Sequence, residues 1–533
     1  MQKNYFTLFC YLLSISVLLA QGGTLDPSFN GTGIIDFKYQ NIRTGFRQLQ
    51  LLHDGKILAF GFLSDDQHIQ SAIFRFNPDG SLDHSFGNEG AFTTPNVSPY
   101  HIGYDGIVLP DGKIMVIDDV AYKNEIALTR LLPEGIIDSS YSINGISSIF
   151  LNINPYYSPA PTSAIRQADG KIVLLAGYWD FDSDLRRAFA MRVLPDGNVD
   201  STFGTAGIVD FIPSNNDWKL EVFGGKIQPD GKIVVAGRTG STVANQVWYI
   251  ARLMPDGSFD TSFDGDGVIN PNIGNVFSEA AYEIYLLPDG KIIGAGYGQK
   301  LPGQQMVMMR FQPNGAVDNT FGLGGKAFVD FGCCHSYIND IIQQPDGKLV
   351  VCGSSDEDNV HHRFSVARVK ANGLVDPEFG DQGKVVVEIN HDSTSAFAAK
   401  ILLQPDGKIL VIGSTLDEVD GYANSGLLVR LNPGTVGTTA APHAVNDPLV
   451  VSPNPVSGNS IQVSYTLPMG EEIWLSLIDV LGQKVRVLLN AQWRSEGQHV
   501  ELLRLPDELP IGQYLMRLET KNHFQMTKML KIE

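Results

Sequence analysis

Short apolar runs rich in Val, Ile and Phe alternate with turn residues along most of the chain, without the long 3.6-residue period of amphipathic helices. One stretch shows the pattern well and predicts strands over residues 207–211, 222–228, 232–237 and 248–254. Between the second and third of these runs, Pro229-Asp230-Gly231 predicts a hairpin turn, because Pro presets φ and Gly accepts the positive φ that follows. We therefore expect units of four antiparallel strands.

The unit recurs seven times, at intervals of 57 to 61 residues. The tripeptide Asp-Gly-Lys begins at Asp54, Asp111, Asp169, Asp230, Asp289, Asp346 and Asp406. A second motif, an apolar residue, Asp, two variable residues and an aromatic residue, begins at Leu25, Leu82, Ile137, Val199, Phe259, Val317 and Val375. A third, an Arg shortly before a turn, lies at Arg75, Arg130, Arg192, Arg252, Arg310, Arg368 and Arg430. Such repetition predicts an all-β fold, a seven-bladed β-propeller, with an open array of β-modules as the alternative.

The repeated Arg and Asp residues invite two interpretations. One is a ring of charges around a channel. The other is structural, with Arg252 and its equivalents pairing with a carboxylate such as Asp260 to neutralise charge where a strand is partly buried. Repetition in every unit favours the structural role, because a functional site usually breaks the symmetry of its framework.

Both ends of the chain differ from the repeats, which span residues 22–434. Residues 1–20 contain Lys3, an apolar run and Ala20, the pattern of a signal peptide; a membrane anchor is the alternative, although the run is short for one. No later stretch is apolar enough to span a bilayer in the mature chain. Residues 435–447 are small and patternless, which indicates a linker. Residues 448–533 predict a small β-sandwich with strands over residues 460–465, 473–479, 498–503 and 512–519.

Composition and charge narrow the picture. With 55 Gly, 28 Pro and 43% hydrophobic residues, the chain suits many short strands and turns, not disorder. Its net charge of -19 argues against a nucleic-acid partner. Beyond the first segment only Cys333, Cys334 and Cys352 remain; one disulfide from Cys352 is possible, but buried free thiols are favoured and the spacing fits no metal site.

Two stretches resemble known families. The run Leu-Asp-Pro-Ser-Phe-Asn-Gly-Thr-Gly from Leu25, echoed from Val199, resembles the bacterial delta-60 repeat family over about residues 22–440. Departures occur at residues 371–373 and 432–434, where Ala-Asn-Gly and Asn-Pro-Gly replace Pro-Asp-Gly. The resemblance implies propeller repeats without a settled activity.

The end of the chain resembles the type A C-terminal sorting domain of the type IX secretion system. The matching segments are Ser-Pro-Asn-Pro at 452–455, Asp-Val-Leu-Gly-Gln at 479–483, Gly-Gln-Tyr-Leu at 512–515 and Lys-Met-Leu-Lys at 528–531. The resemblance implies export through the type IX machinery and release or attachment at the outer surface of a Gram-negative bacterium.

Candidate ligand-binding residues come from the connections that vary between repeats, which should share one face of the ring. They combine aromatic side chains, which stack on sugars, with carboxylates, which bind sugar hydroxyl groups. The alternative is that these aromatic side chains pack against neighbouring loops. The main candidates are Tyr156, Tyr157, Trp179, Asp180 and Trp218, accompanied by Tyr39, Asp65, Asp66, Tyr100 and Asp217.

A weaker candidate is a calcium site formed by Asp260, Asp264 and Asp266, whose loop lacks the bidentate Glu of an EF-hand and is more simply a Gly-rich turn. No cofactor and no catalytic residue is predicted. Neither a Gly-x-Ser-x-Gly elbow nor a His-Glu-x-x-His run occurs, and His361-His362 are expected to be loop residues.

The predicted function is therefore a non-enzymatic secreted or surface propeller that binds a glycan or a protein. One alternative is a polysaccharide lyase or glycosidase with its site in the central channel. Another is a structural element of a surface layer or adhesion apparatus.

Overall fold

The structure of the chain is a computed structural model that describes part of the sequence. The described residues are 22–65, 69–94, 103–120, 124–151, 160–180, 185–211, 219–242, 245–271, 273, 278–300, 303–332, 335–356, 361–389, 394–417, 423–434, 449–452, 454, 456–467, 471–479, 484–495, 497–506, 509–520 and 524–531. Within them the structure has 35 β-strands and no α-helix, which confirms the all-β prediction. Accordingly, this part of the chain contains no apolar helix of membrane-spanning length.

Most of these strands belong to the repeated part. In chain order they are β1 (Ile34–Phe37), β2 (Arg43–Leu51), β3 (Ile57–Ser64), β4 (Ile69–Phe76), β5 (Ala91–Thr93), β6 (Gly103–Val108), β7 (Ile114–Val120), β8 (Glu125–Leu131), β9 (Ile146–Phe150), β10 (Ala160–Arg166), β11 (Ile172–Asp180), β12 (Leu185–Val193), β13 (Ile208–Asp210), β14 (Lys219–Ile227), β15 (Ile233–Gly240), β16 (Val247–Leu253), β17 (Val268–Ile269), β18 (Ala280–Leu286), β19 (Ile292–Lys300), β20 (Gly303–Phe311), β21 (Lys326–Val329), β22 (Ser336–Gln343), β23 (Leu349–Asp356), β24 (His362–Val369), β25 (Lys384–Val387), β26 (Thr394–Leu403), β27 (Ile409–Asp417) and β28 (Ala423–Leu431).

These strands form antiparallel sheets of four. Over the described residues there are seven, and six of them take four consecutive strands, beginning at β2, β6, β10, β14, β18 and β22. The seventh joins β26, β27 and β28 to β1 from the start of the chain, with Ile35 opposite Leu428. The first strands contact one another in the order β2, β6, β10, β14, β18, β22, β26 and back to β2, so they enclose a common axis.

The sequence repeat is offset from the sheets by one strand. Residues 207–211 were predicted to share a unit with residues 222–254, but β13 pairs with β12 and completes the preceding sheet. The reason is local. The segment 194–207 between β12 and β13 turns back on β12, where Val199 forms a bridge with Val193, so β13 pairs with β12 and the prediction of the unit boundary was wrong.

The apolar core lies between successive sheets. One cluster joins Val173 and Leu175 of β11 to Ile233 and Val235 of β15, all fully buried. Every residue of the second strand β3 is buried, because a middle strand packs against neighbours on both faces. Neighbouring sheets are therefore held together around the axis by the apolar side chains between their faces.

A repeated ion-pair cluster, here called the clamp, connects the third strand of each sheet to the turn that precedes the fourth strand. Arg252 Nε lies 2.7 Å from Asp260 Oδ2, Lys232 Nζ lies 3.0 Å from the same oxygen, and the guanidinium lies 4.6 Å from the centroid of Phe263. Arg252 also donates to the carbonyl of Pro313 in the next repeat. The pair recurs as Arg75 with Asp83, Arg130 with Asp138, Arg192 with Asp200, Arg310 with Asp318, Arg368 with Asp376 and Arg430 with Asp26. The structural interpretation of the repeated charges is confirmed.

The C-terminal part has its own core. Its strands are β29 (Val450–Ser452), β30 (Ser460–Leu467), β31 (Glu471–Asp479), β32 (Lys484–Arg494), β33 (Gly497–Arg504), β34 (Gly512–Thr520) and β35 (Phe524–Lys531). They form one sheet in the order β29-β30-β33 and another in the order β32-β31-β34-β35. Both contribute to a single cluster that includes Ile461, Val463, Leu475 and Leu477. The four predicted strands are present, whereas β29, β32 and β35 were missed.

Candidate functional site

Every first strand carries a β-bulge at the same place. The pairing with the second strand shifts between Phe46 and Gln48, Gly103 and Asp105, Pro161 and Ser163, Val222 and Gly224, Ala281 and Glu283, Ile338 and Asp340, and Ala398 and Lys400. A bulge re-aims the side chains around it, so this position presents residues towards the axis. The residues that follow the seven bulges differ in size and charge. The clamps repeat, but the axis is asymmetric.

A cavity of about 520 Å³, here called the axial cavity, lies where the first strands of the seven sheets meet. All seven first strands contribute to its wall. Three half-buried rings form one side: the centroid of Tyr282 lies 4.9 Å from that of Phe223 and 6.1 Å from that of Tyr337, both edge to face. Arg47 and Asn339 add polar groups to the same cavity. Rings beside hydrogen-bonding side chains are the usual lining of a small-molecule site.

Glu283 connects charges from different sheets beneath this cavity. Its Oε2 lies 2.6 Å from Lys400 Nζ, which is 117 residues away in sequence, and its Oε1 lies 3.0 Å from Lys226 Nζ. Burial alone would raise the pKa of Glu283, but the two ammonium groups hold it below its usual range. Lys400 also lies 3.8 Å from Asp340 Oδ1, and these carboxylates raise its pKa against the opposing effect of burial. Glu283 is therefore an anion between two cations.

Two further carboxyl groups near the axis, those of Asp105 and Asp340, have raised pKa values. Asp105 Oδ2 accepts a hydrogen bond from the backbone N–H of Ala164 at 2.7 Å, and Asp340 Oδ2 accepts one from Ile401 at 2.9 Å. Each bond joins a sheet to the next one. Burial raises the pKa of both carboxyl groups despite these bonds. The axis thus holds carboxyl groups with pKa values pushed in different directions, a feature common at functional sites.

A histidine and a buried aspartate pair at the wall of the same cavity. His362 Nδ1 lies 2.5 Å from Asp356 Oδ1, and the His362 ring lies edge-on to Tyr337, with centroids 6.4 Å apart. His335 Nδ1 lies 3.3 Å from the other oxygen of Asp356. His362 is the first residue of β24 and pairs in register with Asp356, so the prediction that it is a loop residue was wrong. The hairpin between β23 and β24 brings the two together.

A second cavity of about 320 Å³, here called the side groove, shares Thr162 and Phe223 with the axial cavity. It lies between the third sheet and the fourth. Arg186 Nη1 lies 2.6 Å from Glu221 Oε1, and Arg238 Nε lies 2.5 Å from Glu221 Oε2. The carboxylate is thus held between two guanidinium groups from different sheets.

The structure describes few of the predicted ligand-binding residues. Trp179 and Asp180 end β11, opposite Arg186 and Leu185, but their side chains are outside the described part. Tyr156, Tyr157 and Trp218 lie outside the described residues, as do Asp66, Tyr100 and Asp217. Tyr39 is buried, donates to the carbonyl of Asn88 at 2.7 Å and packs beside Phe74, so it belongs to the core.

The three aspartates of the possible calcium loop have separate roles in the described structure. Asp260 belongs to the clamp, Asp266 Oδ1 accepts the backbone N–H of Val268 at 2.9 Å, and Asp264 occupies a turn with φ of 53°. Among the residues that the structure describes, no group of three or more His, Cys, Asp or Glu side chains is arranged to hold a metal ion. Cys352 is a buried free thiol, and Cys333 and Cys334 lie outside the described residues.

The sequence alone did not reveal the axial site. Its residues come mainly from seven strands about 60 residues apart, and most of them lie at or next to the bulge, where the copies of the repeat differ. The signal that could have found them is this loss of similarity: aligned by the Asp-Gly-Lys motif, the copies carry Gln48, Asp105, Ser163, Gly224, Glu283, Asp340 and Lys400 at one place.

Comparison with known proteins agrees with the sheet arrangement. Residues 53–86, 167–203, 228–263, 287–321, 344–379 and 404–434 match the family described as domain of unknown function (DUF5122) beta-propeller. These six matches support a repeat β-propeller family, and the repeated part of the chain has a β-propeller fold. No curated protein matches the chain.

Three solved structures are similar to this chain, at low sequence identity and low TM-score. The polysaccharide lyase Uly1 is 11% identical, with 75% of this chain and 98% of that chain covered and a TM-score of 0.43. The α-L-arabinofuranosidase Arb93A from Fusarium graminearum is 10% identical, with 74% and 96% covered and a TM-score of 0.37. Sqt1 from Chaetomium thermophilum is 11% identical, with 74% and 96% covered and a TM-score of 0.35.

Proposed function

We propose that this chain is an exported β-propeller that binds a glycan in its axial cavity. The observation that carries the proposal is the wall formed by Phe223, Tyr282 and Tyr337 together with Arg47 and Asn339. Sugar rings have apolar C–H faces that pack on aromatic side chains, and hydroxyl groups that need donors and acceptors around them. A volume of about 520 Å³ falls within the usual range of ligand sites.

Asymmetry at the axis supports the same proposal. A purely structural ring needs the same contacts in every sheet, as the clamps show. At the bulges, however, neighbouring sheets supply an amide, carboxylates, an ammonium group and no side chain at all. A ligand without sevenfold symmetry requires such differences.

The proposal extends to the whole architecture. The seven sheets make a seven-bladed propeller, and the two C-terminal sheets make a β-sandwich that serves as the sorting domain for the type IX machinery. Support comes from the ring of contacts between first strands, from the core shared by the C-terminal sheets and from the segments at 452–455 and 479–483. Residues 1–20, the proposed signal peptide, lie outside the described residues. The mature protein then resides outside the cell or on its outer surface.

A glycan array with the purified full chain tests the binding proposal. We expect selective binding that is lost in Tyr282→Ala and Tyr337→Ala but kept in Trp493→Ala, a control at an exposed ring of the C-terminal part. Loss of binding in Trp179→Ala and Trp218→Ala, with Tyr282→Ala unaffected, would move the site to the variable connections. Absence of binding to any glycan would overturn the proposal in favour of a protein partner.

A second candidate function is a polysaccharide-active enzyme with its site in the same cavity. The observation that favours it is the pair of His362 and Asp356 beside Tyr337. A carboxylate that binds Nδ1 fixes the orientation of an imidazole, and the other ring nitrogen can then exchange a proton with a ligand.

Depolymerisation assays separate the two functions. If the chain is an enzyme, it shortens a polysaccharide that it binds, and His362→Asn abolishes the cleavage while binding persists. New reducing ends without a double bond would indicate hydrolysis, whereas an unsaturated uronide would indicate elimination. Binding without cleavage over long incubation would leave the chain a binding protein.

A further inference from the structure

Side chains that follow the bulges meet across the axis and are buried there. We propose that they close the inner end of the axial cavity, so that the cavity holds the terminal units of a glycan chain and not an internal stretch. This inference rests on the proposed function and specifies which part of a glycan is recognised.

The axial cavity extends from the variable connections to the bulges. His362 and Leu416 line it near such connections, at the start of β24 and near the end of β27. Gln48, Asp105 and Lys400 line it directly after a bulge. Of the described residues that line the cavity, none lies further along a first strand than this position. The bulges therefore mark its inner end.

Charged side chains from four consecutive sheets form one network at this level. Lys400 on β26 reaches past the sheet of β22 to Glu283 on β18, with Nζ 2.6 Å from Oε2. Lys226 on β14 binds the other oxygen of Glu283 at 3.0 Å. Asp340 on β22 lies 3.8 Å from Lys400. These ion pairs span a large part of the axis.

The remaining three sheets are connected at the same level. Gln48 on β2 donates to Asp105 on β6 at 2.8 Å, and Asp105 accepts the backbone N–H of Ala164 on β10. Burial raises the pKa of Asp105, and the charge of Lys400 opposes this rise, so the two groups interact between β6 and β26. Side chains of opposite parts of the ring thus approach each other across the axis.

The exposure of these groups shows that water does not pass the network. The side chain of Glu283 is only 3% exposed, whereas that of Lys400, which lines the cavity, is 25% exposed. The side chain of Lys226 is 42% exposed, yet it is not among the described residues that line the cavity. It lies beyond the bulge on β14, so water reaches it from the other end of the axis. Glu283 therefore separates the two ends.

Gly224 explains how the carboxylate fits between its neighbours. It is the residue after the bulge of β14, and it is the only one of the seven at that position without a side chain. A Cβ added there would lie 2.8 Å from Glu283 Oε1 and 2.6 Å from the carbonyl oxygen of Tyr282. The space that Gly224 leaves is thus filled by the side chain of the next sheet, and the inner end is packed.

A closed inner end restricts which part of a glycan can enter. An internal unit continues the chain on both sides and needs two openings, whereas a terminal unit needs only one. Phe223, Tyr282 and Tyr337 lie at or before the bulges, on the side wall, where their rings can pack on the first units of an entering chain. Chain ends are therefore the ligand class that this cavity accepts.

The test counts bound protein on glycans of different length. The full chain is titrated by calorimetry with hexasaccharides of xylan, laminarin, arabinan and galacturonan, and with the soluble polymers of the same sugars. We expect one protein molecule per unbranched glycan chain whatever its length, because each chain offers one end of the recognised kind. Reduction of the reducing unit with borohydride then shows which of the two ends is held.

A substitution at the inner end locates the terminal unit. Ser163 is half-buried and lines the cavity directly after the bulge of β10. Ser163→Gln should weaken binding of the hexasaccharide at least about tenfold, because the longer side chain occupies the space of the terminal unit. Ser201→Gln, the same change at an exposed turn, is the matched control and should alter the affinity less than about twofold. Thermal unfolding of both variants confirms that they fold.

The outcomes separate end recognition from the function on which it rests. Protein bound in proportion to chain length would overturn end recognition and leave glycan binding intact, as would unchanged affinity in folded Ser163→Gln. Failure of every glycan to bind would overturn both. If Ser163→Gln does not fold, the number of protein molecules per chain, measured with the parent, still decides between the two.

Discussion

Arg430 Nε lies 2.7 Å from Asp26 Oδ2, although the two residues are 404 positions apart in the sequence. The six other clamps join residues only eight positions apart, with the same atoms at 2.7 to 2.8 Å. The guanidinium of Arg430 also lies 4.5 Å from the centroid of Phe29, and each of the other clamps has an aromatic ring at 4.5 to 4.7 Å from its guanidinium. The first and last segments of the ring are therefore joined by the same Arg–Asp pair and aromatic contact as in the other six clamps.

Asp26→Asn should weaken this closure. Both side chains are largely buried, and loss of the carboxylate leaves Arg430 without its counter-charge. We expect the free energy of unfolding of the repeated part to fall by about 3–5 kcal/mol, measured by urea denaturation. Asp54→Asn, at an exposed turn, is the control and should stay within about 0.5 kcal/mol of the parent. Equal effects of the two substitutions would contradict the importance of the clamp.

The clamps should also make the ring acid-sensitive. Burial alone would raise the pKa of Asp26, but hydrogen bonds from Lys408 and Ser28 and the charge of Arg430 lower it to about 2. The pKa in the folded state is thus below the unfolded value near 3.9. Such a group stabilises the fold above the unfolded pKa, and this contribution is lost as the pH falls towards about 2.

The urea midpoint should therefore decline between about pH 4 and about pH 2, since the pKa values of Asp83, Asp138, Asp200, Asp260, Asp318 and Asp376 are lowered in the same direction. In Asp26→Asn the decline should be smaller. An identical pH profile for the variant and the parent would rule out a contribution from this carboxylate.

The bulges place a tight requirement on the second strands. A Cβ added at Gly353 would lie 1.9 Å from the carbonyl oxygen of Tyr337, closer than any real contact. Gly353→Ala should therefore cost about 1–3 kcal/mol through displaced backbone and should weaken ligand binding, because Tyr337 lines the axial cavity. Ala176→Gly, at the equivalent place in the third sheet, should change stability by about 1 kcal/mol or less. Unaltered binding in Gly353→Ala would separate the bulge from the cavity.

Glu283 and Lys400 should be energetically coupled across the axis. Glu283→Gln leaves two ammonium groups facing each other, so we expect a loss of about 3–5 kcal/mol in the free energy of unfolding. The double variant with Lys400→Met should lose less than the sum of the two single variants, with a coupling of at least about 1 kcal/mol in urea denaturation. Additive losses would show that the two charges do not depend on each other.

Sequence patterns predicted what depends on neighbouring residues. Pro229-Asp230-Gly231 makes the expected turn, with Gly231 at φ of 86°, and Arg252 pairs with Asp260 as expected. Strand β32 was missed for a physical reason. Its pairing with β31 shifts register three times, so its side chains do not alternate regularly between apolar and polar. Strand β29 has only three residues, too few to show a period.

The axial site was beyond such reasoning because its contacts join distant sheets. Lys400 and Glu283 are 117 residues apart, and nothing in either local pattern indicates the other. His362 and Asp356 are close in sequence, but their pairing depends on the register of a hairpin whose turn carries no motif. The tight turns and most clamps depend on residues close together in the sequence, so the sequence predicts them. The cavity depends on contacts that form only when distant sheets come together in the ring.

Strand β1 belongs to the last sheet, which has a consequence for the order of folding. The chain is made from its amino end, yet residues 34–37 can pair only after β28 exists, nearly 390 residues later. At ordinary rates of synthesis this delay is on the order of tens of seconds. During that time β1 lacks its partner. Once β26, β27 and β28 have formed, the last sheet has an open edge at β28 that another chain could occupy until β1 pairs there. The ring therefore closes only when β1, which is synthesised first, pairs with β28, which is synthesised last among the strands of the ring.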